Sequence, residues 1–265
     1  LGGVGMGNGN FTADDSYTVD RTPPAVALTT PKNPVNAAPI TVTASFTKNV
    51  AGLVLGSFSA THAALSNLTE VAANEYTVDV TPNPADYQGD ITVSLPADQA
   101  QDEVTNGNNA AAPLTITYDT TPPALTVSTP TTYIVGAGPI LYKATYTGAA
   151  GVNLAADDVH LITTNDVTGD ISVAEGKTDF VRMITISNIT GDGSLSISIN
   201  AGTSWDEAGN YDTGVPPEAS GVVTVVEVPP VPAAGVLGLL ILTGACAAGG
   251  SILKRRKRQK LLRGA

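Results

Sequence analysis

Asp119-Thr120-Thr121-Pro122-Pro123 has a near-copy 99 residues earlier, Asp20-Arg21-Thr22-Pro23-Pro24. The same features lead into each copy. Asp102-Glu103-Val104-Thr105-Asn106-Gly107-Asn108 is an acid- and amide-rich loop, and Leu114–Tyr118 after it is strand-like. Upstream, Gly7–Asn10 and Ser16–Val19 repeat that order. A third instance, Trp205-Asp206-Glu207-Ala208-Gly209-Asn210, leads into Gly221–Val226. A unit of about one hundred residues recurring this way marks a tandem array, here two whole copies and the tail of another.

Composition narrows what the array can be. Hydrophobic residues make up 42 %, enough for real cores, but aromatics only 5 %, so the cores rest on Val, Ile, Leu and Ala. Abundant Thr, Val, Gly, Pro, Asn and Asp favours strands punctuated by turns. The single cysteine, Cys246, excludes an internal disulfide framework. The net charge of −11 hides an asymmetry: residues 1–227 hold all 24 acidic groups against six basic ones, net −18, while the last twelve residues carry +7. So acidic a body repels nucleic acid and anionic lipid and attracts divalent cations or basic partners. The chain opens on Leu1 without a basic or apolar leader pattern, and residues 1–19 read as the last strand of a preceding unit.

Period-two alternation is clearest in Ile40–Phe46, Tyr76–Val80 and Ile91–Leu95. With Ala25–Thr29, Leu53–Thr61, Ala64–Val71 and Leu114–Tyr118 they make seven short strands, separated by turns about every ten residues. The second copy runs parallel: Ala124–Val127, Ile140–Tyr146, Val159–Ile162, Ile171–Val173, Phe180–Ile186, Leu195–Ile199 and Val222–Val226. No stretch before Pro230 carries a 3.6-residue apolar period. The predicted fold class is all-β: tandem antiparallel β-sandwiches at 20–119 and 120–227.

The Asp-x-Thr-Pro-Pro openings, Gly191-Asp-Gly-Ser-Leu-Ser-Ile-Ser-Ile199 and Trp205-Asp-Glu-Ala-Gly-Asn210 resemble tandem bacterial Ig-like repeats of large surface proteins. The likeness covers essentially all of 1–227. It implies a spacer or adhesive module in an adhesin or biofilm-matrix protein, and no enzyme.

After Glu227 the chemistry changes. Val228-Pro-Pro-Val-Pro232 is a stiff extended spacer. Ala233–Leu253 is uncharged and mostly apolar, and as a helix would span about 31 Å, close to a bilayer core. The basic run Lys254–Lys260, in the tail 254–265, places that end in the cytoplasm and the repeats outside. Proline spacer, apolar span and arginine-rich end are similar to exosortase-type (PEP-CTERM-like) sorting tails, with Pro-Val-Pro-Ala-Ala (230–234) in the Pro-Ala variant. The resemblance implies a sorting protease as partner, and leaves open whether the tail is cleaved or stays as a membrane anchor.

The candidate site is calcium at the repeat junctions. In a sandwich of this type the loop before the last strand shares a pole with the start of the first. Asp206 and Asn210 then approach Asp119, and Asp102 and Asn106 approach Asp20. Hard cations take six to eight oxygens, which clustered carboxylates, amides and carbonyls supply. Glu103, Glu207 and Asp212 are secondary ligand candidates, and Asp86 and Asp90 face the junction from repeat one. Asp, Asn and Gly are also ordinary turn formers, so the same residues serve a bare loop equally well.

Other chemistry is thin. His62 and His160 read as surface residues of middle strands. No HExxH, Gly-x-Ser-x-Gly or phosphate-cradling loop is present, and Gly136-Ala-Gly138 is a turn ahead of Pro139. Asp157 and Asp158 are strand neighbours pointing to opposite faces, so they do not converge on a substrate. Trp205 reads as packing, with ligand stacking as the alternative. Cys246 is a small apolar residue inside the predicted span. The sequence therefore points to a non-enzymatic surface stalk or adhesin segment whose ligand, protein or polysaccharide, is not legible. The alternatives are the stalk of an anchored enzyme whose catalytic domain lies upstream, or a carbohydrate-binding module.

Overall fold

The computed structural model describes residues 19–130, 134–135 and 138–226. The segment 1–18, the proline spacer, the predicted membrane span, Cys246, the basic tail and Gly136 lie outside the described residues. Among the described residues no helix is long and apolar enough to cross a membrane.

The first repeat places seven strands in two sheets. Strands β1 (Val26–Thr29), β2 (Ile40–Phe46), β5 (Glu75–Pro82) and β4 (Ala63–Ala72) form one sheet in the order β1-β2-β5-β4. Strands β3 (Ser59–Thr61), β6 (Gly89–Ser94) and β7 (Leu114–Tyr118) form the other. All these pairings are antiparallel. Alternation explains why the sheets face each other. Along β2, Ile40, Val42, Ala44 and Phe46 point inward, and Val78 and Val80 of β5 join them. Ile91, Val93 and Ile116 close the core from the opposite sheet. Phe46 and Tyr76 meet edge-on at 6.1 Å, and the Tyr76 hydroxyl donates to the Val50 carbonyl at 3.0 Å.

The second repeat follows the same plan. Strands β8 (Ala124–Val127), β10 (Ile140–Thr147), β14 (Val181–Thr190) and β13 (Thr168–Glu175) make one sheet. The other holds β12 (Val159–Thr163), β15 (Gly193–Ile199), β17 (Val223–Val225) and the two-residue β9 (Ile134–Val135). A small third pairing joins β11 (Gly151–Val152) to β16 (Ser204–Trp205). The β9–β17 contact is parallel, and repeat one has its counterpart in the parallel bridge from Val35 to Tyr118. In both repeats the chain thus leaves the first sheet after its opening strand and touches the second, a strand switch within an Ig-like sandwich. The two hydrophobic cores share no residue: one runs from Leu28 to Tyr118, the other from Ile140 to Val225.

Several local expectations change. Residues 53–58 do not extend as a strand; Leu55–Ser57 is a single 3-10 turn, and only Ser59–Thr61 pairs. Asp157 and Asp158 lie in another such turn, Ala156–Asp158, where the Asp158 carboxylate accepts the Ala155 amide at 2.9 Å and closes its own turn. His62 occupies a bend between β3 and β4 at φ 57°, its ring stacked on Tyr87 at 4.5 Å. His160 does lie in β12, exposed and 2.9 Å from Asn200 Oδ1. The long edge strand β4 carries two register shifts, which disrupt it as a template for pairing with another chain.

One buried group is poorly served. The Tyr142 side chain is fully buried, and its hydroxyl has no hydrogen-bond partner among the described residues. Burial pushes that phenol up to about 12. A buried hydroxyl without a partner carries its desolvation cost unrelieved. Tyr142→Phe is therefore expected to leave the stability of the second repeat unchanged or raise it, by about 1 kcal/mol at most. A calorimetric scan that shows a clear loss would refute this.

Candidate functional site

The sequence-predicted residues assemble as two versions of one loop. In repeat one, Asp102 Oδ1 accepts the amides of Val104 (3.1 Å) and Asn106 (2.8 Å), while the Asp102 amide donates to the Asn106 carbonyl at 3.0 Å. In repeat two, Asp206 Oδ1 accepts the amides of Gly209 (2.7 Å) and Asn210 (2.8 Å), and the Asp206 amide donates to the Asn210 carbonyl at 3.0 Å. The carboxamide then ties each loop to the start of its own repeat. Asn106 Nδ2 donates to Asp102 Oδ2 (3.0 Å) and the Asp20 carbonyl (3.3 Å). Asn210 Nδ2 donates to Asp206 Oδ2 (2.9 Å) and the Asp119 carbonyl (2.8 Å). The Asp20 and Asp119 carboxylates each cap their own turn, accepting the amides of Thr22 and Thr121. The predicted trios Asp20/Asp102/Asn106 and Asp119/Asp206/Asn210 are therefore brought together.

The two sites differ at their centres. Lys48 Nζ lies between the carboxylates of repeat one, 2.6 Å from Asp20 Oδ2 and 2.8 Å from Asp102 Oδ2, and also donates to the Thr22 carbonyl. The position matching Lys48 after the paired strands Ile40–Phe46 and Ile140–Tyr146 is Gly148. Here Asp119, Asp206, Glu207 and Gly148 line a cleft of about 410 Å³ with Pro34 of repeat one. Sequence reasoning passed over Lys48, although its place two residues past a strong strand could have suggested it. Among the described residues no three Asp, Glu, His or Cys side chains converge closely enough to hold a metal ion.

Repeat one supplies the rest of the second junction. Lys32 Nζ donates to the Ala208 carbonyl at 2.5 Å, and Asn36 Nδ2 to Asn210 Oδ1 at 3.2 Å. The linker is gripped too: the Asp119 amide donates to the Val35 carbonyl and the Thr120 amide to Gln88 Oε1, at 2.9 and 2.8 Å. Gly209, at φ +93°, makes the Lys32 contact feasible, since a Cβ there would sit 3.0 Å from Nζ. In repeat one Thr105 holds the matching left-handed conformation at φ 67°, a costly one for a β-branched residue.

The secondary candidates have other roles. Asp212 is buried and accepts the amide and hydroxyl of Ser204, the Thr203 hydroxyl and the Gly214 amide. Its counterpart Asn108 is equally buried and accepts the Gln99 and Ala100 amides. Asp90 accepts the Thr117 hydroxyl, Asp86 is exposed, and Glu103 lines the cleft beside Asp20 and Lys48.

The electrostatics follow from these contacts. The Lys48 ammonium holds the Asp102 carboxyl far below the usual carboxylate range, and lowers Asp20 as well. Asp102 first, and Asp20 second, raise Lys48 above its usual 10.5. At Asp206 burial pushes the carboxyl up, but the Asn210 side chain and the loop amides outweigh it and the net shift is downward. Both carboxylates of the Lys48 clamp titrate lower in the folded chain than in the unfolded one. Their contribution is thus complete above the ordinary value of 3.8 and is lost as pH falls through the folded pKa values. The contribution of Lys48 is complete below 10.5 and is lost as pH rises through its higher folded value. Lys48→Met is expected to move the Asp102 carboxyl titration upward and to flatten the acid limb of repeat-one stability below about pH 4. Carboxyl-carbon NMR titration checks this, and an unmoved Asp102 would refute the clamp.

With this geometry in view, comparison with known proteins adds the following. A family described as bacterial Ig-like domain matches residues 20–118. No curated protein sequence matches the chain. Among solved structures, InvD of Yersinia pseudotuberculosis aligns at 18 % identity over 79 % of this chain and 59 % of its own, with TM-score 0.30. The adhesin InvE of the same organism aligns at 15 % identity over 76 % and 58 %, TM-score 0.28. Domains 5–6 of the S-layer protein SbsC align at 15 % identity over 77 % and 99 %, TM-score 0.24. The chain spans about three-fifths of the length of each of the two Yersinia structures. No enzymatic family is indicated.

Proposed function

We propose that residues 20–227 form two Ig-like repeats serving as a stiff, non-catalytic spacer or adhesin segment of a bacterial cell-surface protein. On this reading, Ala233–Leu253 and the basic tail anchor or sort the chain at the envelope. The observation that carries the proposal is the junction: among the described residues, five hydrogen bonds made by Lys32, Val35, Asn36 and Gln88, two of them by Gln88, join repeat one to the linker and to repeat two. A flexible tether has no use for such a lock, whereas a projecting stalk does, because nearest-neighbour contacts set the stiffness of a repeat array. Calcium belongs to the proposal at the second junction, where Asp119, Asp206 and Glu207 line a cleft that Gly148 leaves without the lysine of repeat one; the three carboxylates do not converge as they stand, so binding would have to draw them together.

Spin labels on the exposed residues Thr41 of repeat one and Ser172 of repeat two would measure the stiffness as a distance distribution. A single narrow peak is expected for the native chain, and a clearly broader one for the combined Lys32→Ala, Asn36→Ala and Asn210→Ala variant. Calcium should narrow the variant's distribution and raise the melting temperature, and Asp119→Ala should abolish that rise. A broad native distribution would refute the spacer reading; a response to neither calcium nor chelator would remove calcium from it.

A further inference from the structure

The two repeats differ on one exposed ladder. In repeat one Ala51, Gln101 and Gly107 are joined by consecutive antiparallel bridges, immediately before and after the Asp102 loop. The matching rungs of repeat two are Gly151, Trp205 and Tyr211. Repeat one forms the same ladder around the same loop with no aromatic residue, so the fold does not require one there. Yet repeat two places the chain's sole tryptophan and a tyrosine on adjacent rungs, with 39 % and 61 % of their surface exposed. Residues directly opposite in an antiparallel pair project from the same face with Cβ atoms about 5 Å apart, so both side chains rise from one face, the indole leaning toward Gly151 and the phenol on its other flank.

Gly151 completes the arrangement. A Cβ at that position would fall 2.3 Å from Trp205 Cζ2 and 2.6 Å from Cε2, so the indole lies directly against the glycine backbone. The alanine that repeat one carries at this rung would displace the ring.

We propose that Trp205 and Tyr211 form a stacking platform for the pyranose rings of a neutral polysaccharide. This goes beyond the spacer reading and does not depend on it. An aromatic face carries the negative lobe of its quadrupole. It therefore complements the positively polarised C–H face of a pyranose ring while the hydroxyls stay at the edge in water. Two exposed aromatic residues on one face offer that surface at two points along a glycan chain. The net charge of −18 over residues 1–227 disfavours an anionic polymer, which leaves a neutral glycan as the occupant.

Trp205 is the sole tryptophan, so its emission reports the site directly. The full chain, held in detergent micelles, would be titrated with cello-, xylo-, manno- and chitohexaose, with an oligogalacturonate and with a proline decapeptide. At least one neutral hexaose is expected to shift the emission saturably, and the galacturonate not to. By calorimetry, Trp205→Gln with Tyr211→Gly, which restores the repeat-one residues, should weaken that binding at least about tenfold while the second repeat still unfolds in a cooperative transition. Gly151→Ala should weaken it as well, and Trp205→Phe should retain most of it. Silence from all four neutral sugars, binding indifferent to the double variant, or binding of the proline peptide alone would overturn the proposal. So would a double variant that fails to fold, since the rings would then be packing residues.

Discussion

Asp212→Ala is expected to cost the second repeat about 3 kcal/mol, the largest loss from a single polar residue among the described residues. The carboxylate is 2 % exposed and takes four hydrogen bonds from both sides of its loop. Its removal strands the buried Ser204 amide, and it strips Thr203 of a partner although that hydroxyl also meets Tyr146 at 2.8 Å. Each orphaned buried donor carries most of its desolvation penalty, which exceeds the net worth of the bond it lost. Asp212→Asn should cost markedly less, because repeat one fills the matching place with Asn108, whose single oxygen serves two amides. Chemical denaturation followed through Trp205, seven residues away in the same repeat, gives the measurement. Equal losses for the alanine and asparagine variants would show that the charge, and not the bridging geometry, is what the loop needs.

Ile197→Ala should lower the second repeat's stability by about 3 kcal/mol while leaving the first repeat's transition where it was. Ile197 is fully buried on β15 in a core that shares no member with the repeat-one core. Its truncation removes transfer free energy and leaves a cavity that two hydrogen-bonded sheets cannot fully close. For a domain of this size the loss corresponds to a fall in melting temperature of roughly 10–20 °C. Val93→Ala is the mirror experiment, lowering only the first transition, by somewhat less because fewer carbons are removed. Calorimetry separates the two transitions. A single transition that moves with either substitution would mean that the junction couples the repeats into one cooperative unit.

The residues themselves made the sandwich legible. Period-two alternation in Ile40–Phe46 and Ile140–Tyr146 reports burial of one face, and burial of one face is what a packed sheet is. The Asp…Asn loops were legible for a related reason: Asx turns are local, so Asp102 and Asp206 organise their own next four residues whatever the rest of the chain does. Short pairings such as β11 with β16 left no signal, because two residues cannot show a period.

The chemistry at the loop centres was decided by tertiary structure alone. Lys48 lies 54 residues from Asp102 and 28 from Asp20, and only the closing of both sheets brings its ammonium between their carboxylates. The sequence marks the loops as acidic, but charge is a property of what surrounds a group, and partners that arrive from other strands have no local pattern to announce them. Gly148 and Gly151 show the same limit. Single glycines carry no local pattern; in the folded chain one leaves a cleft beside Asp206 and the other provides the floor on which Trp205 lies. Periodicity and turn chemistry, being local, settled the architecture of this protein, while long-range placement settled which of its acidic loops already holds a cation and which side chains stay open to a ligand.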